Sequence, residues 1–310
     1  MALNRESFPK SVTIYEVGPR DGLQNESIIL KTSDKIELVN LLLKAGLPAV
    51  EIGSFVRPDL IPALADSNEV AVGLKPLLKS NRLVALVPNM KGLDRALEAG
   101  VREVAVIASA TESFARANLN NSVQGSLEIF RPVIEQALLA GLNVRGYISM
   151  CYGDPWEGKV APDKVTEVAE RLFEYGISEL SLGDTIGVAT PGDVISLLDS
   201  LESVGISRNK LAVHFHDTYG QALSNTLASL QEGISIVDAS IGGLGGCPFA
   251  KSATGNLSTE DLVWQLHGLG IQTGVNFEGL IEISKWLSQV VGLKIKSKTA
   301  IALGADKVNS

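Results

Sequence analysis

The chain has 310 residues, 45% hydrophobic content and a formal net charge of -8. That is ample material for a buried core, while the acidic balance and the lack of any Lys/Arg run exclude the basic face that broad nucleic-acid binding requires. No window approaches the roughly 20 uninterrupted apolar residues of a bilayer-spanning helix, and MALNRESFPK has neither a secretory core nor an Arg-rich amphipathic pattern, which predicts a soluble, cytoplasmic, bacterial protein that engages neither membrane nor nucleic acid.

The first β-rich run, VTIYEVG at 12–18, leads into the polar stretch VGPRDGLQNE at 17–26. A helix is predicted over Asp34 to Ala45, where Ile36, Val39, Leu42 and Leu43 form one apolar stripe and Gly46 supplies a stop. The strand runs AVEIGSF (49–55) and RLVALVP (82–88) follow, then a helix from near Asn89 to Gly100 and the run EVAVIAS (103–109). A helix from near Ser122 to Gly141 precedes VRGYISM (144–150), one from Pro162 to Gly176 precedes ELSLGDT (179–185), and one from Pro191 to Gly205 precedes LAVHFHD (211–217). A helix from Gln221 to Gly233 leads to the last run, IVDASIG (236–242). The prolines sit where helices start and the glycines where they stop.

Eight such units with nearly continuous apolar strands predict an α/β fold, a closed TIM (β/α)8 barrel over about residues 10–272, near the usual ~250 residues. A C-terminal helical appendage at about 273–310 follows, with FEGLIEISKWLSQVVG as its amphipathic helix, and the whole is expected to be one catalytic domain. An open doubly wound sheet is the alternative. It has no GxGxxG after the first run to support it, and no linker divides the chain.

In a barrel, polar groups just after the strands collect at one mouth, where catalysis in this fold is housed. Arg20 and Asp21 leave the first run, Glu51 and Ser54 sit on the second, Tyr147 on the fifth, Asp184 on the sixth, His214 and His216 at the end of the seventh, and Cys247 and Asn256 on the last loop. Residues i and i+2 of a strand share a face, so His214 and His216 can offer two imidazoles to one cation. Asp21 and Asn256 are the carboxylate and amide nearest to complete the set, and such nitrogen and oxygen donors without thiolate suit Mg²⁺, Mn²⁺ or Zn²⁺. The other reading is a pair of histidines that merely hydrogen-bond their neighbours. His267, within LVWQLHGLG, reads as structural.

The stretch SIGGLGGCPFAKSATGN (240–256) is too rich in glycine for a regular strand and reads as a loop that moves or lets a ligand approach. Cys247 and the distant Cys151 are too few for a disulfide framework and read as thiols. Cys247 is either a proton donor or a small buried hydrophobe, and the glycines alone can also cradle phosphate. Arg20 beside Asp21 is either a surface ion pair of little value or a division of labour, carboxylate to metal and guanidinium to a developing enolate. Glu51 reads equally as an ion-paired acid, and Asp184 as a cap on the turn that follows it.

Taken together, VGPRDGLQNE, VEIGSFV, GYISM, LSLGDTIG, HFHDTYGQALSN and GGLGGCPFAKSATGNLSTEDLVW resemble the hydroxymethylglutaryl-CoA lyase family of metal-dependent barrel enzymes, from about residue 10 to 290. The resemblance implies Asp21, His214, His216 and Asn256 as ligands of a divalent cation, Mg²⁺ or Mn²⁺. It implies Arg20 as the group that steadies an enolate, Glu51 as its supporting acid, and Cys247 as the thiol that assists proton transfer. Asp21 and His214 count among the catalytic groups, and Arg20, Gln24, Ser54, Tyr147 and Asp184 would meet an acyl-CoA substrate. The implied reaction cleaves 3-hydroxy-3-methylglutaryl-CoA to acetyl-CoA and acetoacetate in a homo-oligomer, a dimer or tetramer. Departures from the family pattern fall at Ser27, at Gly153-Asp154-Pro155-Trp156-Glu157-Gly158, at Phe249 and at Ser252. They keep open a related branched substrate, an isohexenylglutaryl or citramalyl thioester. A Claisen-condensing synthase and a non-catalytic barrel are the further alternatives.

Overall fold

The eight apolar runs form eight parallel strands in the computed structural model, which describes residues 8–246 and 255–305. They are β1 (Thr13–Glu16), β2 (Ala49–Ser54), β3 (Arg82–Leu86), β4 (Glu103–Ser109), β5 (Asn143–Ser149), β6 (Glu179–Asp184), β7 (Leu211–Phe215) and β8 (Ile236–Ala239). Each pairs with its successor and β8 pairs with β1, Thr13 opposite Ile236 and Glu16 opposite Ala239, so the sheet closes. The TIM barrel expected from the sequence is the fold, and the doubly wound alternative is excluded.

Alternation along the strands sorts the side chains into two sets. One faces the helices and joins the main core, with Ile14, Val50, Val104, Leu180, Val213 and Val237 among its members. The other fills the barrel interior, where Tyr15, Val17, Ala49, Val84, Ala105 and Tyr147 pack together. Between β2 and β3 the register slips at Glu51 to Gly53, a bulge that re-aims the end of β2 at the mouth.

One helix follows each strand: α1 (Thr32–Lys44), α2 (Ser67–Gly73), α3 (Met90–Ala99), α4 (Val123–Leu139), α5 (Pro162–Tyr175), α6 (Pro191–Ser203), α7 (Ala222–Gln231) and α8 (Thr259–Leu269). The start signals act as caps. Asn89 and Ser122 accept the N–H groups of Gly92 and Gly125 at 3.0 and 2.9 Å, and Pro162 and Pro191 occupy first-turn positions. Gly100 and Gly176 end their helices with φ of 88° and 105°. In α1 the buried apolar face is Leu38, Val39 and Leu42, with Ile36 and Leu43 at its margins. The predicted set omitted α2, whose seven residues are too few to display a period.

The C-terminal appendage comprises α9 (Phe277–Trp286) and α10 (Lys298–Ala302). The extended strap between them buries Leu293, Ile295 and Ser297 and exposes Lys294 and Lys296. The backbone N–H groups of Lys296 and Ser297 donate to the Gly242 carbonyl at 2.8 and 3.2 Å, which stitches the strap to the loop after β8. His267, as expected, has a structural setting against Phe277 and Thr273.

Two fully buried acids fasten the same end of the barrel. Glu16 accepts the N–H groups of Gly18 (2.8 Å) and Ile241 (2.9 Å) and the Thr259 hydroxyl (2.6 Å). Glu260 accepts the Gly242 N–H and the Ser284 hydroxyl. Burial pushes Glu16 up from 4.5 to about 7 and Glu260 from 4.5 to about 8, against the hydrogen bonds that favour the carboxylates. Both folded-state values lie above the unfolded ones, so the native state holds the extra protons within that window. Stability therefore falls as pH rises from 4.5 toward 8 and levels off above it. Thermal unfolding followed from about pH 5 to about pH 9 should show this loss, and Glu260→Gln should show a smaller one. An identical loss in the variant would remove Glu260 as a source of the pH dependence.

Candidate active site

The polarity of VGPRDGLQNE has a structural reason. After β1 the chain makes one tight turn of π-helical spacing, Gly18–Gly22, in which the Val17 carbonyl accepts the N–H groups of Arg20 (3.1 Å), Asp21 (2.8 Å) and Gly22 (3.1 Å). Position 18 has no room for a side chain, because a Cβ there would stand 2.6 Å from Glu16 Oε1 and 2.9 Å from Ile241 Cγ2. The turn delivers Arg20 and Asp21 side by side into the barrel mouth.

Asp21 meets the two histidines there. The ligand atoms of Asp21, His214 and His216 lie within 4.8 Å of one another, and the two imidazole centroids are 5.3 Å apart. Asn256, bridged by backbone to His216, donates its amide N–H to Asp21 Oδ2 (2.8 Å) and to the Leu244 carbonyl (3.0 Å). Its carbonyl oxygen, Oδ1, is buried and has no hydrogen-bond partner among the described residues. A buried amide oxygen without a donor is costly unless something else meets it. The donor set, two imidazoles with carboxylate and amide oxygens, fits a divalent cation. Burial works to raise the Asp21 carboxyl, but Arg20, with His214 and His216 behind it, outweighs burial and holds it at about 2.

Arg20 is buried between two acids. Its Nε donates to Glu51 Oε2 and its Nη1 to Asp21 Oδ1, both at 2.7 Å. The Tyr147 hydroxyl donates to the same Glu51 oxygen at 3.2 Å, and the Tyr147 ring lies under the guanidinium, 5.6 Å from centroid to Cζ. Burial pushes the Glu51 carboxyl above its ordinary range, with Arg20 pulling it back. Nε and Nη1 are committed to these acids, which leaves Nη2 for whatever occupies the cavity.

That cavity measures about 330 Å³. Arg20, Asp21, His214 and His216 line it together with Gln24, Ser54 and Tyr147, and Leu60, Phe114 and Phe130 are among its apolar lining. Asp184 is turned away from it: Oδ1 accepts the Val188 N–H (3.0 Å) and Oδ2 the Ala189 N–H (3.1 Å), the turn-capping geometry. Gly183 and Thr185 line the cavity on either side of it. Burial lifts the Asp184 carboxyl to about 7 against those hydrogen bonds. Glu51 reaches the cavity through Arg20 and Tyr147. Cys247, Phe249 and Ser252 lie outside the described residues, and neither Ser27 nor the 153–158 ribbon lines the cavity. Cys151 is a buried thiol that donates to the Ile148 carbonyl at 3.2 Å.

Several groups that shape the site were not singled out from the sequence. Asp238 accepts from His214 Nδ1 at 3.3 Å, from both terminal nitrogens of Arg145 at 3.1 and 2.6 Å, and from the Ser181 hydroxyl at 2.8 Å. The available signal was a charged residue inside an apolar strand, Arg in VRGYIS and Asp in IVDAS. Glu26 accepts the Gly245 N–H (3.1 Å), Lys296 Nζ donates to both Glu26 (3.1 Å) and the Gly245 carbonyl (2.9 Å), and Asn25 donates to the Gly246 carbonyl (2.7 Å). These hold the glycine segment against Asn256, whose amide nitrogen would lie 2.6 Å from a Cβ on Gly245.

Comparison with known proteins agrees with this arrangement. The HMGL-like family matches residues 11–287. The mitochondrial hydroxymethylglutaryl-CoA lyase of Rattus norvegicus is 50% identical over 297 residues, 96% of this chain and 90% of the relative. Among solved structures, hydroxymethylglutaryl-CoA lyase from Pseudomonas aeruginosa superposes with a TM-score of 0.92 at 48% identity, covering 97% of this chain and 100% of that one. An HMG-CoA lyase from Acinetobacter baumannii, in complex with coenzyme A and 3-methylmalate, gives a TM-score of 0.89 at 37% identity over 97% and 96% of the two chains. Matched along nearly its whole length in both sequence and fold, this chain belongs to the HMGL-like family.

Proposed function

We propose that the protein cleaves the carbon-carbon bond of 3-hydroxy-3-methylglutaryl-CoA, giving acetyl-CoA and acetoacetate. The observation that carries this is the meeting of Asp21, His214 and His216 with the Arg20 guanidinium in the lining of one cavity. Half identity to lyases of that name over nearly the whole chain supports it.

Asp21, His214, His216 and Asn256 would hold a divalent cation, Mg²⁺ or Mn²⁺. When bound, it supplies Lewis acidity that lowers the pKa of the substrate's tertiary hydroxyl. Loss of that proton to solvent lets the oxygen's electron pair become the ketone of acetoacetate as the C2 to C3 bond breaks, and solvent returns a proton to the thiol that protonates C2. The electrons of that bond pass to C2 and the thioester carbonyl, forming the enolate of acetyl-CoA. Arg20 Nη2 is assigned to that oxygen, a fixed cationic donor aimed where negative charge develops. Glu51 and Tyr147 hold the guanidinium so that it need not reorganise. Cys247 is assigned the proton that C2 takes up. Gln24 and Ser54 would orient the acyl group, and the apolar lining that includes Leu60, Phe114 and Phe130 would receive part of the CoA substrate.

The decisive assay incubates the purified protein with Mg²⁺ and 3-hydroxy-3-methylglutaryl-CoA and measures acetyl-CoA and acetoacetate. Equal amounts of both are expected, whereas release of free CoA thiol would indicate a condensing enzyme instead. A panel of branched 3-hydroxyacyl-CoA thioesters run beside it identifies the preferred acyl chain. Removal of metal with EDTA should abolish turnover and Mg²⁺ or Mn²⁺ should restore it; full activity in chelator would refute the role of the cation. Arg20→Lys is expected to lower kcat by roughly 10²–10³-fold with little change in KM, and Cys247→Ala by about 10²–10⁴-fold. Wild-type kcat in either variant would strike that residue from the mechanism.

A further inference from the structure

The Asp238 carboxylate is surrounded by donors. Arg145 grips both of its oxygens, Ser181 donates to Oδ2, and His214 Nδ1 approaches the same Oδ2. Asp238, Arg145 and Ser181 are all buried, with exposures of 1%, 0% and 0%. Strand register sets the contact, since Asp238 on β8 lies directly opposite His214 on β7. Arg145 is in turn anchored by Glu179 at 2.6 Å and stacked between Tyr15 and Tyr147, 3.8 and 4.5 Å from the ring centroids. Nothing in this arrangement lets Asp238 slide away from the imidazole.

Chemistry then fixes the proton. A carboxylate held by a guanidinium has no hydrogen of its own and can only accept, so the hydrogen between it and His214 must belong to Nδ1. In a neutral imidazole that leaves Nε2 as a lone pair. Nε2 faces Asp21 Oδ2 at 4.0 Å, beyond hydrogen-bond reach, so it is not spent on that carboxylate. The rings of Tyr147, perpendicular to the imidazole, and of His216, tilted to it, flank His214 at centroid distances of 6.4 and 5.3 Å.

We propose that Asp238, braced by Arg145 and Ser181, is a positioning residue that locks His214 in the Nδ1–H tautomer and reserves Nε2 for a cation. An ion pair with a purely structural purpose would need only Arg145 and Asp238. Here the pair meets an imidazole that faces Asp21, and it presents an oxygen to the nitrogen that is turned from Asp21. Carboxylates behind metal-binding histidines act in this way generally, and their loss weakens metal binding without touching the metal. The inference also separates the roles of the two imidazole nitrogens: Nε2 of His214 serves as a donor to the cation and is not a proton acceptor for the substrate.

This rests on the reading of His214 as a cation ligand, and two measurements keep the two apart. The chain has three histidines, so ring-¹⁵N-histidine labelling with long-range ¹H–¹⁵N spectra, assigned with a His267→Gln variant and a His216→Gln variant, resolves the His214 tautomer in the unaltered protein without metal. The Nδ1–H pattern is expected. An Nε2–H or averaged pattern would overturn the proposal, and this arm requires no change at Asp238. In the second arm, Mn²⁺ affinity is read from the EPR signal of free Mn²⁺ for the wild type and for Asp238→Asn, with folding checked by circular dichroism. A folded variant should bind about 10–100-fold more weakly; affinity within twofold of wild type would overturn the proposal. Wild-type protein that binds no Mn²⁺ would instead defeat the cation reading and, with it, the purpose assigned to Nε2.

Discussion

Glu16 and Ile241 are 225 positions apart in sequence, yet the Glu16 carboxylate accepts the Ile241 N–H at 2.9 Å. That bond lies on the seam where β8 closes on β1, and the site depends on the seam. Asp21 belongs to the first turn and Asn256 to the last, and their 2.8 Å contact exists only because the sheet is closed. Closing so long a loop carries an entropic cost that grows slowly with length, and one strand pairing of four residues is a thin seal. The seam is therefore fastened on both sides. Glu16 reaches Gly18 on the first turn, Ile241 on the last and Thr259 at the start of α8. Glu26, Asn25 and Lys296 grip Gly245 and Gly246 from outside. The appended strap is part of this fastening, because it supplies Lys296 and binds the Gly242 carbonyl.

Inside the seam the barrel holds both apolar and ionic groups. Tyr15, Val84 and Ala105 pack together, while Arg145, Glu179 and Asp238 form a chain of charges that Arg82 and Glu103 extend. Such a network is weak evidence of stability, since well-packed apolar groups often do as well, but removing one partner leaves a buried charge and costs about 3–5 kcal/mol. Its retention has a clearer rationale at its upper end, where Asp238 meets His214. A cation at the mouth needs a histidine of fixed tautomer, fixed tautomer needs a fixed acceptor, and a buried acceptor needs a permanent counter-charge. Arg145 supplies it, because guanidinium does not lose its proton in proteins.

What the sequence disclosed follows from the range of the physics involved. Strands, helix caps and glycine stops are local, and all eight strand runs appear where the apolar patterns lie. The gathering of Arg20, Asp21, His214 and His216 followed once the barrel was assumed, because strand order alone places them at one mouth. The π-helical turn was not legible, since its five residues show no periodicity, and α2 was too short to read. The partnership of Asp238 with His214 depends on register between strands whose separation the chain does not encode locally, so only the oddity of a charge in an apolar strand hinted at it. Asp184 shows the opposite limit: an acid at a strand end looks the same in sequence whether it faces a cavity or caps a turn, and here its oxygens take the Val188 and Ala189 N–H groups.

The residue at position 20 has to satisfy two conditions that pull against each other. In the role proposed for it, it must be immobile, or its charge would have to reorganise as the substrate changes, and it must keep a donor free. A lysine ammonium in the same place has three donors on one atom at the end of a flexible stem, so two acids that immobilise it also draw the whole charge toward themselves. The guanidinium spreads its donors across a planar fork. Glu51 and Asp21 take the Nε and Nη1 edges at 2.7 Å each, while Nη2 projects from the same rigid plane with its share of the charge intact. The two acids also differ in what else they do: Asp21 turns its second oxygen to Asn256 at 2.8 Å, whereas Glu51 takes the Tyr147 hydroxyl at 3.2 Å. Arg20 thereby couples Asp21 and Asn256 to the tyrosine that walls the cavity, and the adjacent placement of Arg20 and Asp21 in one tight turn sets a cationic donor and a carboxylate side by side in the cavity lining.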